Sequence, residues 1–373
     1  MMTYELNQKV KELVPYEPET GKYAVRLEAN ESFLPIHKDI KKDMAALIRK
    51  IAFNRYPDPK ATECCKAFAD YYGINPALVT AGNGSDELIG LILSGFFSRG
   101  EKLLIAEPDF SMYRFYAQAA ELQVVSYQKT EDFRIDPQAF IELAQKENCR
   151  GLIFSNPCNP TSQGLKKGAL RMILKALPDT LIILDEAYMD FWNQSILTEV
   201  EEYNNLIILR TCSKAMGGAA IRLGFAVCRQ ELAAAVQALK SPYNVDSLTQ
   251  AAGLALLKRQ DILKDALADI LAGRGFLAGA LTKLEQEWQD TPLAFSLVPE
   301  SKTNFLVLRF RDKSKHQEIA DYLKRKKILI RCFPDFLRIT VGSPEENQAL
   351  LAALRKMAGL KKYQKTSKVS KSK

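Results

Sequence analysis

Short apolar runs alternate with amphipathic stretches between about residues 78 and 228 of this 373-residue chain. The runs are ALVTAG, KLLIAEP, GLIFSNP, TLIILDEA, NLIILRT and RLGFAVC. Runs this apolar are typical of strands that are buried on both faces, as in a parallel sheet covered by helices. The pattern therefore predicts an α/β fold with a mostly parallel sheet.

The last third of the chain has a different pattern. After about residue 254, helical periodicity gives way to two strand-like runs, TNFLVLRF and ILIRCFPDFLRITVG, around the basic helix KSKHQEIADYLKRKK. This order indicates a second, smaller α+β domain. The predicted organisation is an N-terminal arm with part of the small domain over 1–52, a large domain over 53–254, a small domain over 255–360 and a disordered basic tail over 361–373.

Charge and cysteine usage narrow the classes of function. The net charge is +8, but the tail supplies six lysines and no acid, so we expect a solvated end and not a nucleic-acid site. The seven cysteines form no CxxC pair and are predicted to be reduced thiols. The two histidines, His37 and His316, lack ligand partners at metal spacing, so no metal is predicted. Without a membrane span or signal-peptide pattern, the expected compartment is the cytoplasm.

Polar side chains follow four of the predicted strands, at the point where each strand ends. In chain order they are Ser85 and Asp86, Asn156 and Asn159, Asp185, and Ser213 and Lys214. Ligands of open α/β sheets bind at the carboxyl ends of the strands. We therefore expect these side chains to meet at one rim of the sheet.

Each of these segments also has a purely structural interpretation. GNGSDE can be a glycine turn that caps the next helix, NPCNPT can be a proline-stiffened loop, and Asp185 can be a helix cap. Lys214, however, loses its hydration at the end of a buried strand unless a ligand occupies the space above it. Together these segments predict a pyridoxal phosphate site. Such a site needs a lysine that forms an imine with the carbonyl cofactor, a carboxylate that keeps the ring nitrogen protonated, and an anion site, here with Ser213 and Arg222.

Motifs along nearly the whole chain support this interpretation. They are VPYEPETG, LEANESF, NRYPDP, GNGSDE, EPDFSMY, NPCNPT, LDEAYMDF, SKAMGGAAIRLG, SPYNVDSLTQ and LRITVGSPEEN. The chain resembles the pyridoxal-phosphate aminotransferases of fold type I, and within that group it is similar to the histidinol-phosphate aminotransferases. The lysine and arginine motif is shared by many aminotransferases, whereas RYPDP, GNGSDE and PYNV point to the narrower branch.

The resemblance implies roles around the ring of the cofactor. Lys214 would form the imine and then move a proton as general acid and base. Asp185 would pair with the ring nitrogen, and Tyr113 would stack on the ring. Asn159 and Tyr188 would hydrogen-bond the ring hydroxyl.

The resemblance also implies how the cofactor phosphate is held. Ser85, Asp86, Ser213 and Arg222 would surround it, with Asp86 presenting its backbone because its carboxylate repels an anion. Tyr56 would reach the phosphate of a neighbouring subunit, so the implied assembly is a homodimer with shared active sites.

The substrate-side residues implied by the resemblance are Tyr16, Asn30, Arg331 and Arg338. The two arginines would face the phosphate or carboxylate of the substrate, although a solvated strand edge is the alternative for both. The chain departs from the family pattern in NPTSQG, which inserts two residues before Gly164, and in the short link RCFPDFLR between the two arginines.

The implied reaction is ping-pong transamination of L-histidinol phosphate with 2-oxoglutarate. Two alternative enzymes of the same family stay open: a decarboxylase acting on threonine phosphate and a broad aromatic amino acid aminotransferase. A non-catalytic, cofactor-sensing module fused to a DNA-binding segment is disfavoured, because no helix-turn-helix pattern precedes the fold.

Overall fold

The structure is a computed structural model that describes the backbone of residues 4–14 and 19–369, and the side chains of these residues up to 359. Its helices are α1 (Gln8–Lys11), α2 (Lys38–Ile48), α3 (Thr62–Tyr72), α4 (Gly84–Gly95), α5 (Met112–Ala119), α6 (Pro137–Lys146), α7 (Lys167–Ala176), α8 (Gln230–Leu239), α9 (Ser247–Leu257), α10 (Gln260–Trp288), α11 (Ser314–Arg325) and α12 (Pro344–Val369). Its strands are β1 (Val25–Leu27), β2 (Val79–Asn83), β3 (Lys102–Glu107), β4 (Gln123–Gln128), β5 (Gly151–Ser155), β6 (Leu181–Asp185), β7 (Leu206–Thr211), β8 (Leu223–Cys228), β9 (Phe295–Leu297), β10 (Phe305–Phe310), β11 (Ile328–Phe333) and β12 (Phe336–Thr340).

The larger sheet has the strand order β2-β8-β7-β6-β5-β3-β4 among the described residues. Strand β8 runs antiparallel to both of its neighbours, β2 and β7, and the other pairs are parallel. The predicted mostly parallel sheet is therefore confirmed. Because β8 reverses direction, β2 ends at the same edge as the other strands, and β8 begins there.

Alternate residues of the buried strands pack into cores on opposite faces of this sheet. In β7, Ile208 packs with Leu184 and Phe154 on one face, while Ile207 and Leu209 pack on the other face. Each such buried aliphatic side chain contributes roughly 1.5–3 kcal/mol to folding. Burial on both faces explains why the strands appear in the sequence as continuous apolar runs.

The smaller sheet has the order β1-β11-β12-β10-β9, in which β1 pairs with β11 in parallel and the other pairs are antiparallel. Leu27, Leu306 and Leu337 on one face pack with Leu281 and Leu323. On the other face, Phe305 and Phe336 share a core cluster with Tyr188 of the large domain. The N-terminal strand thus joins the C-terminal sheet and carries the following residues toward the large domain.

The packing changes from one domain to the other at different positions from the predicted boundaries. Ile40 of α2, within the predicted N-terminal arm, packs into the large-domain core. Within α10, Leu263 belongs to that same core and Leu277 belongs to the small-domain core. The side chains of this one helix therefore pack into both cores, and the boundary at residue 254 stays a prediction.

The last helix, α12, continues to Val369, so the backbone is helical over most of the segment for which a disordered tail was predicted. Within residues 4–14 and 19–369, none of the helices combines the length and the hydropathy of a membrane span.

Candidate active site

A cavity of about 400 Å³ lies where the carboxyl edge of the large sheet meets the small domain. The sequence-predicted site residues that line it are Asn30, Ser85, Asp86, Tyr113, Asn159, Asp185, Tyr188, Ser213, Lys214, Arg222, Arg331 and Arg338. Tyr56 is 80% exposed and is not among the lining residues. Tyr16 lies outside the described residues.

The direction of β8 explains why Arg222 reaches the same rim as residues that follow other strands. Arg222 immediately precedes β8, which begins at the edge where β2 and β7 end. Gly224 is needed for this arrangement, because a Cβ there would lie 2.3 Å from the backbone nitrogen of Ser85. The missing side chain lets the start of α4 pack directly against β8.

One end of the cavity is built to attract an anion. Arg222 Nη1 donates to Ser213 Oγ at 3.2 Å, and Arg222 Nη2 donates to Asp86 Oδ2 at 3.1 Å. Thr211 Oγ1 donates to Ser213 Oγ at 3.0 Å. Ser85 and Asp86 lie in the first turn of α4, where backbone N–H groups have no intrahelical partner. The carboxylate of Asp86 thus contacts the guanidinium, while its backbone belongs to the helix N-terminus.

At the other end lies the buried carboxylate of Asp185, which is 5% exposed. Its Oδ2 accepts from the Tyr113 hydroxyl at 2.7 Å, and its Oδ1 accepts from the Ala187 N–H at 2.9 Å. Burial raises the pKa of Asp185 to about 6, against the opposing effect of these two hydrogen bonds. Two carboxylate oxygens offer about four acceptor positions, so Asp185 can still receive one more donor, and a cationic donor would stabilise its charged form.

The side chain of Lys214 lines the same cavity. Its Nζ donates to the carbonyl oxygen of Ala29 at 3.0 Å. Burial, followed by the positive charge of Arg338, lowers the pKa of Lys214 to about 8. A large fraction of this amine is therefore neutral near pH 8, which is the form that reacts with a carbonyl group.

The small domain closes the cavity through Arg338. This side chain is 7% exposed, and it donates to Asn159 Oδ1 through Nη1 and to the Glu28 carbonyl oxygen through Nη2. Asn30 Nδ2 donates to the Tyr188 hydroxyl at 2.9 Å. The interpretation of Arg338 as a solvated strand edge is therefore wrong.

The sequence interpretation missed a buried ion pair under the cavity. Lys129 Nζ lies 3.2 Å from Asp109 Oδ2, and each of the two side chains is 1% exposed. Asp109 also lines the cavity and accepts a hydrogen bond from Ser155 Oγ. Because Asp109 closely follows the end of β3, the strand-end rule used for the other segments predicts its position as well.

Lys129→Met is expected to destabilise the protein by about 3–5 kcal/mol, because it leaves the carboxylate of Asp109 buried without its cation. The free energy of unfolding in urea measures this effect. The matched control is Lys102→Met, since Lys102 pairs with Glu147 at 2.8 Å on the surface and its loss should matter far less. Equal stabilities of the two variants would show that the buried pair contributes nothing beyond a surface pair.

Known proteins of similar sequence belong to one enzyme family. Residues 24–354 match the family described as Aminotransferase class I and II. Histidinol-phosphate aminotransferase from Clostridium kluyveri is 38% identical over 355 residues, which cover 94% of this chain and 97% of the relative. The protein of the same name from Clostridium novyi is 37% identical, covering 95% of this chain and 98% of the relative.

Solved structures show the same fold. Histidinol-phosphate aminotransferase from Sinorhizobium meliloti, in complex with pyridoxal-5'-phosphate, superposes with a TM-score of 0.82 at 24% identity, covering 95% of this chain and 97% of that chain. L-threonine-O-3-phosphate decarboxylase from Porphyromonas gingivalis superposes with a TM-score of 0.73 at 21% identity, covering 90% and 99%. The predicted fold type I is confirmed. Over almost its whole length, the chain belongs to the class I and II aminotransferases, a family that depends on pyridoxal phosphate.

Proposed function

We propose that this enzyme transfers the amino group of L-histidinol phosphate to 2-oxoglutarate with pyridoxal phosphate as cofactor. The observation that supports it most is a cavity with two cationic positions, Arg222 from the large domain and the register pair Arg331 and Arg338 from the small sheet. One position suits the phosphate of a cofactor, and the other suits the phosphate of a substrate. The two clostridial relatives at 37–38% identity bear the name of this activity.

The chemistry of the donor set fits pyridoxal phosphate. Arg222, Ser213 and the first turn of α4 would hold the phosphate, and Asp185 offers its remaining acceptor capacity to the ring nitrogen. Asn159 and Tyr188 carry N–H and O–H donors for the ring hydroxyl, and both line the cavity. When bound, the cofactor supplies a carbonyl carbon that reacts with amines and a ring that accepts electrons from the substrate carbon.

The protein's own residues then supply the proton movements. Lys214, with its pKa lowered to about 8, can take a proton from the substrate carbon and return it near neutral pH. The buried carboxylate of Asp185 would hold the ring nitrogen and, as a negative charge, would favour its protonated form. Tyr113 donates to Asp185 and thereby fixes the orientation of that carboxylate.

The names of the curated relatives favour this reaction over the two alternatives within the family. The decarboxylase acting on threonine phosphate is represented by a structure with 21% identity, which shows the common fold.

The proposed assembly is a homodimer in which Tyr56 reaches the phosphate of the neighbouring subunit. Its ring stacks on Tyr243 with centroids 4.4 Å apart, and both rings are exposed. Phe53, three residues before Tyr56, is 73% exposed. Exposed aromatic side chains grouped in this way support an interface.

Arg338→Ala is expected to lower kcat/KM for histidinol phosphate by about two powers of ten or more, roughly 3 kcal/mol for a charge-assisted pair. The half-reaction with 2-oxoglutarate should also fall, since its distal carboxylate would use the same guanidinium. Steady-state kinetics with histidinol phosphate, phenylalanine and threonine phosphate measure both effects. Arg309→Ala, on β10 of the same sheet but beside Glu131, serves as the control.

Two results would overturn the proposed substrate while leaving the fold intact. The first is a wild-type enzyme that prefers phenylalanine to histidinol phosphate. The second is release of carbon dioxide from threonine phosphate.

A further inference from the structure

The carboxylate of Asp109 accepts four hydrogen bonds from the protein itself. Its Oδ1 accepts from the Phe110 N–H at 2.8 Å and from the Ser155 hydroxyl. Its Oδ2 accepts from the Ser155 N–H and from Lys129 Nζ, each at 3.2 Å. Two carboxylate oxygens have about four acceptor positions, so Asp109 has no capacity left for a ligand. Any part that it takes in the reaction must therefore go through a neighbouring residue.

Ser155, the last residue of β5, connects this carboxylate to Asn159. Because a carboxylate paired with an ammonium group only accepts hydrogen bonds, the single hydroxyl hydrogen of Ser155 points to Asp109. The lone pairs of Ser155 Oγ are left to accept, and the backbone N–H of Asn159 donates to Oγ at 3.2 Å. The charge of Asp109 thus sets the direction of both hydrogen bonds.

The side chain of Asn159 lines the cavity, and its orientation is also defined. Arg338 carries only donors, and its Nη1 donates to Asn159 Oδ1. The amide N–H₂ group is then the part of Asn159 that can donate to a ligand. Asn159 is held at its backbone by Ser155 and at its side-chain oxygen by Arg338, so the position of the N–H₂ group depends on both contacts.

We propose that Asp109 and Ser155 are positioning residues, which hold the Asn159 N–H₂ group where it donates to the ring oxygen of the cofactor. The inference rests on the proposed function, in which Asn159 contacts that oxygen, and adds two residues that act through Asn159. Donation stabilises the negative charge of the ring oxygen, most of all when the imine formed with Lys214 has lost its proton. The contact therefore lowers the pH at which the imine proton is lost.

Ser155→Ala removes the hydroxyl and leaves Asp109 with its other three donors, so the change is confined to the contact with Asn159. The pH midpoint of the visible absorbance of the bound cofactor should rise by about 0.5–1 unit, which corresponds to part of one hydrogen bond. Asn159→Ala should raise this absorbance midpoint at least as much, and the double variant should show no further rise. These absorbance titrations need no substrate.

The matched control is Ser195→Ala. Ser195 Oγ also donates to a buried carboxylate, Glu186 Oε2 at 2.6 Å, and accepts the backbone N–H of Leu197 at 3.1 Å, but none of these three residues lines the cavity. Both serine variants should lower the urea midpoint of unfolding, whereas Ser195→Ala should leave the absorbance midpoint unchanged. An equal rise of the absorbance midpoint in the two variants would reflect a general loss of stability and overturn the positioning role.

Ser155→Cys covers the case in which Ser155→Ala does not fold. Its thiol has a similar shape but is a weak donor and acceptor, so the absorbance midpoint should rise by a smaller amount, about 0.3–0.5 unit. If Asn159→Ala raised the midpoint while the variant of Ser155 that folds did not, the role of Asp109 and Ser155 would be overturned and the proposed function would stand. An unchanged midpoint in Asn159→Ala would overturn the contact with the ring oxygen as well.

Discussion

Lys214→Ala is expected to abolish the borohydride-fixable adduct with pyridoxal phosphate and to lower kcat by at least about four powers of ten. The expectation follows from the place of Lys214 in the cavity that Arg222 and Asp185 also line, where its amine donates to the Ala29 carbonyl at 3.0 Å. Alanine removes both the amine that bonds to the cofactor and the group that moves the proton. Borohydride reduction followed by peptide mass mapping locates the adduct, and steady-state kinetics give kcat.

The pH dependence of adduct formation checks the same residue in the wild-type enzyme. Since burial and Arg338 lower the pKa of Lys214 to about 8, the neutral amine becomes the main form as the pH rises through about 8. The rate of adduct formation should therefore increase between about pH 7 and pH 9 and then level off. Lys60→Ala, at an exposed position outside the cavity, should leave the rate and the yellow colour unchanged. A wild-type protein that stays colourless after incubation with pyridoxal phosphate would count against the site as a whole.

The large-domain half of the site could be predicted from the sequence because it depends on one general rule. Parallel strands end at one edge, so Ser85, Asp185 and Lys214 were expected to meet from their positions after apolar runs. The same rule extends to Asp109, which follows β3 within the motif EPDFSMY. Arg222 obeys the complementary rule, because an antiparallel strand begins at the edge where its neighbours end.

The small-domain half could not be predicted in this way, because it depends on contacts between segments far apart in the chain. Lys214 Nζ contacts the carbonyl of Ala29, 185 residues away. Arg338 contacts Asn159, which is 179 residues away. The contact at Ala29, which follows β1, depends on the pairing of β1 with β11, and no periodicity within either segment encodes that pairing.

The domain boundary shows a second limit of periodicity. Residues 260–288 form one continuous helix, and its amphipathic pattern does not reveal that Leu263 and Leu277 face different cores. A change of core within a helix needs no glycine, proline or polar linker. The boundary near residue 254 and the cytoplasmic location both stay predictions from the sequence.

Asp185→Asn should bind pyridoxal phosphate but turn over about three powers of ten more slowly, roughly 4 kcal/mol of lost charge stabilisation. In the wild-type protein the Ala187 N–H donates to Asp185 Oδ1 at 2.9 Å, and the asparagine oxygen can accept the same hydrogen bond. The asparagine N–H₂ group can donate to the Tyr113 hydroxyl oxygen, so the fold of the rim should persist. What it lacks is the negative charge that keeps the ring nitrogen protonated.

Single-turnover kinetics of the half-reaction with histidinol phosphate isolate this effect, and visible absorbance confirms that cofactor is bound. Tyr113→Phe removes only the hydroxyl that contacts Asp185 at 2.7 Å, so its turnover should fall by about tenfold at most. This control separates the charge of Asp185 from the hydrogen bond that orients it. If Asp185→Asn kept near-normal turnover, the carboxylate would serve only to cap the turn at Ala187, and the protonated ring nitrogen would need another source.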